Sequence, residues 1–492
     1  MIPTVATDIQ MRCGAGGVLE HPPGGGGAGN MRVIQPTTRS MSAGRYTVAY
    51  PGIEYSVPLA VVGKLPLTYT VNSPAGGSVD SKGVLRFIAP TSGIVDVDID
   101  IVDADGATVN LAWSVSVDAA QFLFIDPAAA PGGDGTINAP YQQIADVWPG
   151  NAGTAGKFVY LRGGTHQMPD TLDVPYKGTY HITIGTADVE GFIGYPGESA
   201  VIDQLVAGKH VTFRVFSRFF IGSLTTANTL NNFVFVENGD DIVLFDLTDA
   251  GSSIDPLHDN LGYFQILNDQ LYNGVVPTSP PPDDGNNSYR KRNLLMQCCT
   301  LHNQAIPSVE MYGCADLGAF YNDITMSPGC YTALNGKSSS SGTVWFGNTI
   351  RGDSGSLTIN SPSQAFHDDL YIAFNDVRGG DVVIGGFTGP KNVTLFRNTL
   401  FAPVVIRSTA QGDGPINIDW NVIVNDFSAG TVIDASPNTT DHIASDPTEH
   451  WSISADVTVM GQNLLGYPAD NIVDANNRLI DRSLVGVYGY EV

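Results

Sequence analysis

The chain is poor in positive charge. Its 492 residues carry 24 Lys and Arg against 49 Asp and Glu, and 24 minus 49 gives a formal net charge of −25. A surface of that sign repels phosphate backbones and anionic headgroups, which argues against nucleic acid and anionic membranes as partners. A polyanionic substrate such as a polyuronate would need a local basic cleft built from those few cations. Cysteine is scarce too: Cys13, Cys298, Cys299, Cys314 and Cys330. An odd count without C-x-x-C or His spacing fits neither a disulfide framework nor a zinc site, so buried, reduced thiols are expected. No run of about 18 apolar residues is present, and no membrane-spanning helix is expected. The start also lacks the marks of a signal peptide, since Met1–Gln10 has no basic region and Met11–Asn30 is Gly-rich rather than apolar. If Met1 is the native start, any export is expected by a route other than Sec cleavage.

What the sequence has in quantity is turn formers. It holds 56 Gly and 30 Pro among 42% hydrophobic residues, a balance that suits an all-β protein with many turns. Its length predicts two or three folding units.

One short pattern recurs five times between Ala305 and Asp434. It reads Leu317 to Ile324, Thr343 to Ile350, Leu370 to Val377, Val393 to Leu400 and Ile416 to Ile423. Each copy centres on an asparagine: Asn322, Asn348, Asn375, Asn398 and Asn421, spaced 26, 27, 23 and 23 residues apart. Apolar residues recur five before, three before and two after each Asn, with Thr343 the one exception. A period of this size marks a solenoid. The period-2 apolar spacing predicts a short strand with one face buried, and the Asn predicts a bend into the next strand.

A second column lies upstream in every copy, at Val309-Glu310-Met311, Ala333-Leu334-Asn335, Thr358-Ile359-Asn360, Val383-Ile384-Gly385 and Val405-Ile406-Arg407. Its inward residues are expected at 311, 334, 359, 384 and 406. Leucine-rich repeats share roughly this period but need a dense Leu framework that is absent here. The predicted fold is therefore a right-handed parallel β-helix with coils about 4.8 Å apart. The five asparagines should form a structural ladder, each amide bonding the next coil, with Asn itself taking the left-handed bend. Cys299, 23 residues before Asn322, takes the ladder position in the preceding coil.

In chain order, residues 1–44 are a Gly-rich segment, expected to be flexible unless another subunit or particle holds it, and so a candidate anchor. Residues 45–118 carry short alternating strands that predict a small β-sandwich. Here Gly63-Lys64-Leu65-Pro66-Leu67-Thr68-Tyr69, Gly76-Gly77-Ser78-Val79-Asp80 with Gly83-Val84-Leu85, and Asp103-Ala104-Asp105-Gly106 resemble the immunoglobulin-like domains attached to bacterial and phage surface proteins. Residues 119–440 are assigned to the β-helix with its N-terminal cap. Phe124-Ile125-Asp126-Pro127, Gly133-Asp134-Gly135-Thr136 and Ala139 to Ile144 resemble the opening of pectate-lyase-like β-helix proteins. That resemblance implies a short amphipathic capping helix through Tyr141, Ile144 and Val147, which would shield the open end of the core. Phe158 to His166 should be the first coil. Residues 441–492 are read as the closing segment, because Gly486-Val487-Tyr488-Gly489-Tyr490-Glu491 resembles the end of many bacterial β-helix repeat proteins.

The resemblance to β-helix enzymes implies a site on the outer face of one sheet. On the upstream column the candidate ligand-binding residues are Glu310, Tyr312, Asn335, Asn360 and Arg407. A glycosidase needs two carboxylates about 5 to 10 Å apart, and Glu310 with Asp316 is the candidate pair. A lyase needs a base, often Lys or Arg, with Ca²⁺ or a neutralising cation, and Lys337 and Arg407 are available about three coils apart. Asp96, Asp98 and Asp100 could hold Ca²⁺ at a strand end, although a solvated strand face is the favoured reading, and no other cofactor is indicated. His367-Asp368-Asp369 is read as a turn.

Two classes of function follow. The first is a virion or surface appendage that presents a β-helix to host or environmental polysaccharide. A phage tailspike or head/tail fibre is its type, and the resemblance to tailspikes implies a homotrimer joined to virion proteins through residues 1–44, at the virion surface. The second is a secreted polysaccharide lyase or glycoside hydrolase, located extracellularly.

Overall fold

A computed structural model describes residues 31–37, 40–41, 44–148, 153–169, 180–204, 211–216, 218–229, 233–236, 240–251, 264–266, 293–304, 309–312, 317–326, 333–337, 341–352, 359–361, 367–378, 382–386, 390–401, 404–408, 416–419, 422–424, 433–434, 457–459 and 464–467. The described residues up to Leu123 form one compact unit, and those from Phe124 onward form a second.

The first unit is built from antiparallel strands, apart from Val48–Ala49, which pairs parallel with Thr108–Val117. Thr68–Ser73, Gly93–Val102 and Thr108–Val117 make a sheet that Val48–Ala49 extends, and Glu54–Pro58, Val84–Ile88 and Ser78–Val79 make another. Alternation explains the burial. Val97, Ile99, Ile101, Leu111, Trp113 and Val115 are buried on one sheet, as are Tyr55, Val57, Leu85 and Phe87 on the other. Tyr46 organises the polar atoms among them, its carbonyl accepting from Trp113 Nε1 and Tyr55 Oη at 2.9 Å each. The sequence motifs meet in space. Asp103 is buried, and its carboxylate accepts from the backbone N–H of Lys64 at 3.1 Å and of Asp105 and Ala107 at 2.9 Å.

One stretch of the segment expected to be an arm is a strand. Arg32–Gln35 pairs antiparallel with Ala60–Val62, so that part of residues 1–44 is tied down by this unit itself. Cys13, Cys314 and Cys330 lie outside the described residues, as do residues 1–30.

The second unit is a parallel β-helix. Its strands fall into three columns, exemplified by Leu317–Phe320 (leading), Asp323–Met326 (trailing) and Leu334–Lys337 (third). Leading and trailing strands share a 21-stranded sheet among the described residues, and the third column forms a ten-stranded one. Pairing is parallel throughout, from Phe158–Leu161 on Gly191–Gly194 to Val422–Val424 on Leu464–Tyr467. The strands Val457–Val459 and Leu464–Tyr467 add a coil beyond residue 440, within the segment read as closing the β-helix.

Inside, side chains stack in register: Leu244, Met296, Ala319, Trp345, Ile372 and Leu395 occupy one row and all are buried. Ala319 lies beside Trp345, so a small residue leaves room for the largest one. At the N-terminal end the expected helix is a single 3₁₀ turn, Ile144–Val147. Gln143 and Asp146 cap it reciprocally, and Ile144 and Val147 are buried. Tyr141 takes no part in it and bridges to Ile125 instead. The turn before it requires glycine at 133, where a Cβ would lie 2.0 Å from the Pro140 carbonyl oxygen.

The ladder at the leading-to-trailing bend is continuous from Asn322 to Asn398. Asn348 Oδ1 accepts from Asn322 N at 3.1 Å and Nδ2 at 2.9 Å, Asn375 Oδ1 from Asn348, and Asn398 Oδ1 from Asn375. Each Nδ2 also reaches back one coil to a carbonyl: Met296, Ala319, Trp345 and Ile372 for the four in order. Asn421 lies outside the described residues. The left-handed residue is not the asparagine but the one before it, Tyr321 (φ 53°), Gly347 (68°), Phe374 (57°) and Arg397 (55°). Asn is needed for its amide, not for its tolerance of positive φ.

Two further readings are corrected. His367-Asp368-Asp369 is no turn; the leading strand of that coil begins at His367 and runs to Ala373. In the third column the register pairs Val309 with Leu334, Leu334 with Ile359, Ile359 with Val382 and Val382 with Val404. The expected pairings of 311 with 334 and of 359 with 384 are each displaced by two residues. A two-residue displacement keeps every side chain on its face, so apolar alternation alone does not distinguish the two registers.

Candidate functional site

The three columns offer different outer surfaces. From Phe220 to Phe346 the outward positions of the leading column are buried and largely apolar, Phe220, Leu295 and Val344 in one row and Phe245, Phe320 and Phe346 in the next, and farther along Tyr371 and Thr394 are half-buried. Aromatic contacts run along it, with ring centroids 5.5 Å apart for Phe320 and Phe346 and 5.3 Å for Phe346 and Phe374. This face is packing rather than a binding surface.

The third column carries the residues singled out from sequence. The register sets Glu310 beside Asn335 and Asn335 beside Asn360, with Gln265 beside Glu310 on the preceding coil. Tyr312 pairs with Lys337, and Arg407 with Gly385. Their backbone is described and their side chains are not. Asp316, the proposed partner of Glu310, lies outside the described residues.

The trailing column presents a polar surface that the sequence reading did not consider. One outward row runs Thr225, Thr248, Thr300, Asp323, Thr349 and Asp376, each in register with the next, with Thr349 and Asp376 buried and the other four reaching the surface. The adjacent row includes Thr325, Arg351 and Arg378. Arg351 Nη1 donates to Asp323 Oδ1 at 2.8 Å across neighbouring coils, and both side chains are about half exposed at 48%. Arg378 grips Asp376 in a bidentate pair, Nε to Oδ1 at 2.9 Å and Nη2 to Oδ2 at 2.8 Å, with the carboxylate only 3% exposed. These positions stand one and three residues after each ladder Asn, so reading every repeat to its third following residue would have found them.

Other charged groups are held in structural roles. At the first coils Arg162 clamps Glu198, Nε donating at 2.9 and 3.0 Å, and this bond holds the Glu198 carboxyl below its usual range. The Arg162 guanidinium lies 4.5 Å from the Tyr195 ring centre. His166 is buried with Nε2 2.8 Å from the Arg162 carbonyl oxygen, and burial lowers its pKa. Burial also raises Glu190, which faces Arg218 at 3.6 Å. In the first unit, Asp98 and Asp100 accept from Asn72 and Asn110, and Asp96 accepts from Ser114. They form a solvated strand face, and no group of three His, Cys, Asp or Glu is placed to hold a metal ion among the described residues.

Neither the protein-family models nor the curated proteins give a match to this sequence. Solved structures do resemble the chain. A family 28 exopolygalacturonase of Yersinia enterocolitica is 9% identical, over 90% of this chain and 100% of that one, with a TM-score of 0.40. A rhamnogalacturonan lyase is 12% identical over 73% and 95%, with a TM-score of 0.37. The pectate lyase Pel9A is 12% identical over 75% and 87%, with a TM-score of 0.34. Likenesses this distant transfer neither substrate nor site.

Proposed function

We propose that this chain is a glycan-binding appendage of a virion or cell surface, holding a polysaccharide along the outside of its solenoid. One observation carries the reading. The outward row of the trailing column stays polar from Thr225 to Asp376 and reaches the surface at Thr225, Thr248, Thr300 and Asp323, while over the same coils the outward leading positions Phe220, Phe245, Leu295, Phe320, Val344 and Phe346 are buried and apolar. A polar position thus recurs about every 4.8 Å along a rigid axis. A linear polymer whose hydroxyls also repeat is the ligand suited to such a strip, and a stiff scaffold keeps the cost of ordering the protein low on binding. Attachment is assigned to the segment before Arg32, with a homotrimer as the assembled state.

The test is a panel of immobilised bacterial surface polysaccharides, read for binding and for chain cleavage. Retention without cleavage is expected. Release of unsaturated or reducing ends would move the chain to the polysaccharide lyases or glycoside hydrolases, and failure to bind any polymer would end the reading. Light scattering tests attachment: full-length protein should be trimeric and a chain lacking residues 1–30 should not. A monomeric full-length protein would remove the assembly role.

A further inference from the structure

We propose that the binding strip has a defined centre at the Asp323–Arg351 and Asp376–Arg378 pairs, and that this centre recognises vicinal hydroxyls of an uncharged sugar chain. The inference rests on the glycan-binding reading above and adds the place and the ligand class.

Fold maintenance does not account for these charges. The coils at Thr225, Thr248 and Thr300 keep the same register with an uncharged residue at the equivalent position. The register also sets Arg351 directly beside Arg378 on the neighbouring strand. Like charges facing each other across a sheet are destabilising, so a pair of adjacent guanidinium groups is a cost that coil stapling alone would avoid. Each is instead countered by its own carboxylate, which fixes the orientation of both planar groups.

The resulting patch is electroneutral, two carboxylates against two guanidinium groups, in a chain of net charge −25. That combination gives a polyanion nothing to gain. It suits a polyol, because a hydroxyl both donates and accepts and therefore matches a carboxylate oxygen and a guanidinium N–H set side by side. The exposed pair has capacity for this. Arg351 uses Nη1 on Asp323 Oδ1, which leaves its Nη2 edge and Asp323 Oδ2 directed to other partners while both side chains remain 48% exposed. Two adjacent hydroxyls on one ring present the donor and acceptor spacing such an edge requires. Asp376 lies two coils from Asp323, roughly 10 Å along the axis at the usual strand spacing, so the polymer would run across the coils from one pair to the other.

The experiment uses the full chain and immobilised mannan, dextran, galactan and β-glucan, with heparin and polygalacturonate as anionic counterparts. Wild-type protein should be retained by at least one neutral polymer. Arg351→Ala and Asp323→Ala should each weaken that retention by about tenfold or more, the effect of losing a charge-assisted hydrogen-bonding group, with the thermal midpoint close to wild type. Mild periodate treatment, which cleaves vicinal diols, should abolish binding to the same polymer. If both variants bind like wild type, the centre is elsewhere on the strip and the broader reading stands. If the periodate-treated polymer binds as well as the untreated one, or only the anionic polymers bind, the ligand class is overturned. Binding to none of the six, together with none on the bacterial panel, would remove the glycan reading itself.

Discussion

Two stretches of the solenoid make the same bend with different chemistry. Upstream, the bend residues are Ser223-Leu224 and Asp246-Leu247; downstream they are Tyr321-Asn322, Gly347-Asn348, Phe374-Asn375 and Arg397-Asn398. The first residue of each pair is left-handed, with φ between 51° at Asp246 and 68° at Gly347. The conformation is therefore common to leucine and asparagine bends, and closing the coil imposes it even on residues for which it costs about 1–2 kcal/mol. What differs is bonding. A leucine side chain fills space, whereas an asparagine side chain engages its neighbours on both sides.

Cys299 stands between the two stretches and shows how one turns into the other. Its backbone N–H donates to Asn322 Oδ1 at 2.9 Å, as each asparagine does to the next. Its thiol lies 3.8 Å from the Leu244 carbonyl oxygen. Leu244 stands three residues before the upstream bend residue Leu247, the place that Met296 holds for Asn322, so the thiol takes the donor position of the absent amide. It is fully buried, and burial pushes its pKa far above the ordinary thiol range.

The comparison breaks most visibly at Asn375. Asn375→Leu turns a downstream bend into an upstream one without moving the backbone. It removes the Asn375 partner of Asn348 N–H, Asn348 Nδ2 and the Trp345 carbonyl, at about 1–3 kcal/mol for each buried group left unpaired, while Asn398 Oδ1 keeps the backbone N–H of residue 375. A fall in the urea midpoint is expected while glycan retention persists. An unchanged midpoint with lost retention would assign the ladder to binding instead of structure.

A smaller effect separates the stretches by pH. The amide ladder does not titrate, whereas the upstream end buries His166. Its folded-state pKa is depressed by burial below the ordinary value of about 6.5, so the folded protein binds fewer protons there than the unfolded chain. His166 therefore costs nothing above that value, and stability falls as the pH drops below it toward the folded pKa. Glu190, raised by burial, acts in the opposite sense, losing its unfavourable charge as the pH falls. Thermal midpoints between pH 7.5 and 5 should decline in wild type and flatten in His166→Gln. Parallel profiles for the two proteins would discount this histidine.

The smallest effect is expected at the junction. Cys299→Asn should be neutral or slightly stabilising, since the new amide meets the Leu244 carbonyl and Asn322 Oδ1 that the other rungs would lead it to. Marked destabilisation, measured by the same urea titration, would mean that the upstream coil lacks room for the ladder.

The same contrast explains what could be read from sequence. The downstream coils were legible because an amide that bonds its counterpart must recur once per coil, and Asn322 to Asn398 keep that beat. Upstream, Leu224 and Leu247 do the same job with a side chain that also occurs everywhere else in the core, so the period is hidden. The left-handed position was assigned to the asparagine because Asn favours positive φ in isolation; in the coil, tertiary closure overrides that preference and places Tyr321, Phe374 and Arg397 there. The third-column register slipped by two because both alignments bury the same face. The third column also drew the reading away from Asp323 and Arg351, which meet across 28 residues of sequence, and from Asp376 and Arg378, whose place beside them shows only once the coils are stacked.

The hydrogen bonds between coils run along the axis of the rod, so an axial pull loads every coil junction in series and tests the weakest. Junctions bridged by asparagine carry amide bonds beyond the strand pairing; Cys299 reaches back to Leu244 through its thiol alone, and the side chains of Leu224 and Leu247 have no polar atom with which to bond a neighbouring coil. Under tension the rod should yield first on its leucine side, and the asparagine side should come away later as a stiff block. Force spectroscopy with handles at the two ends would show a low-force event followed by a higher one, and a single event would mean that the junctions are mechanically equal.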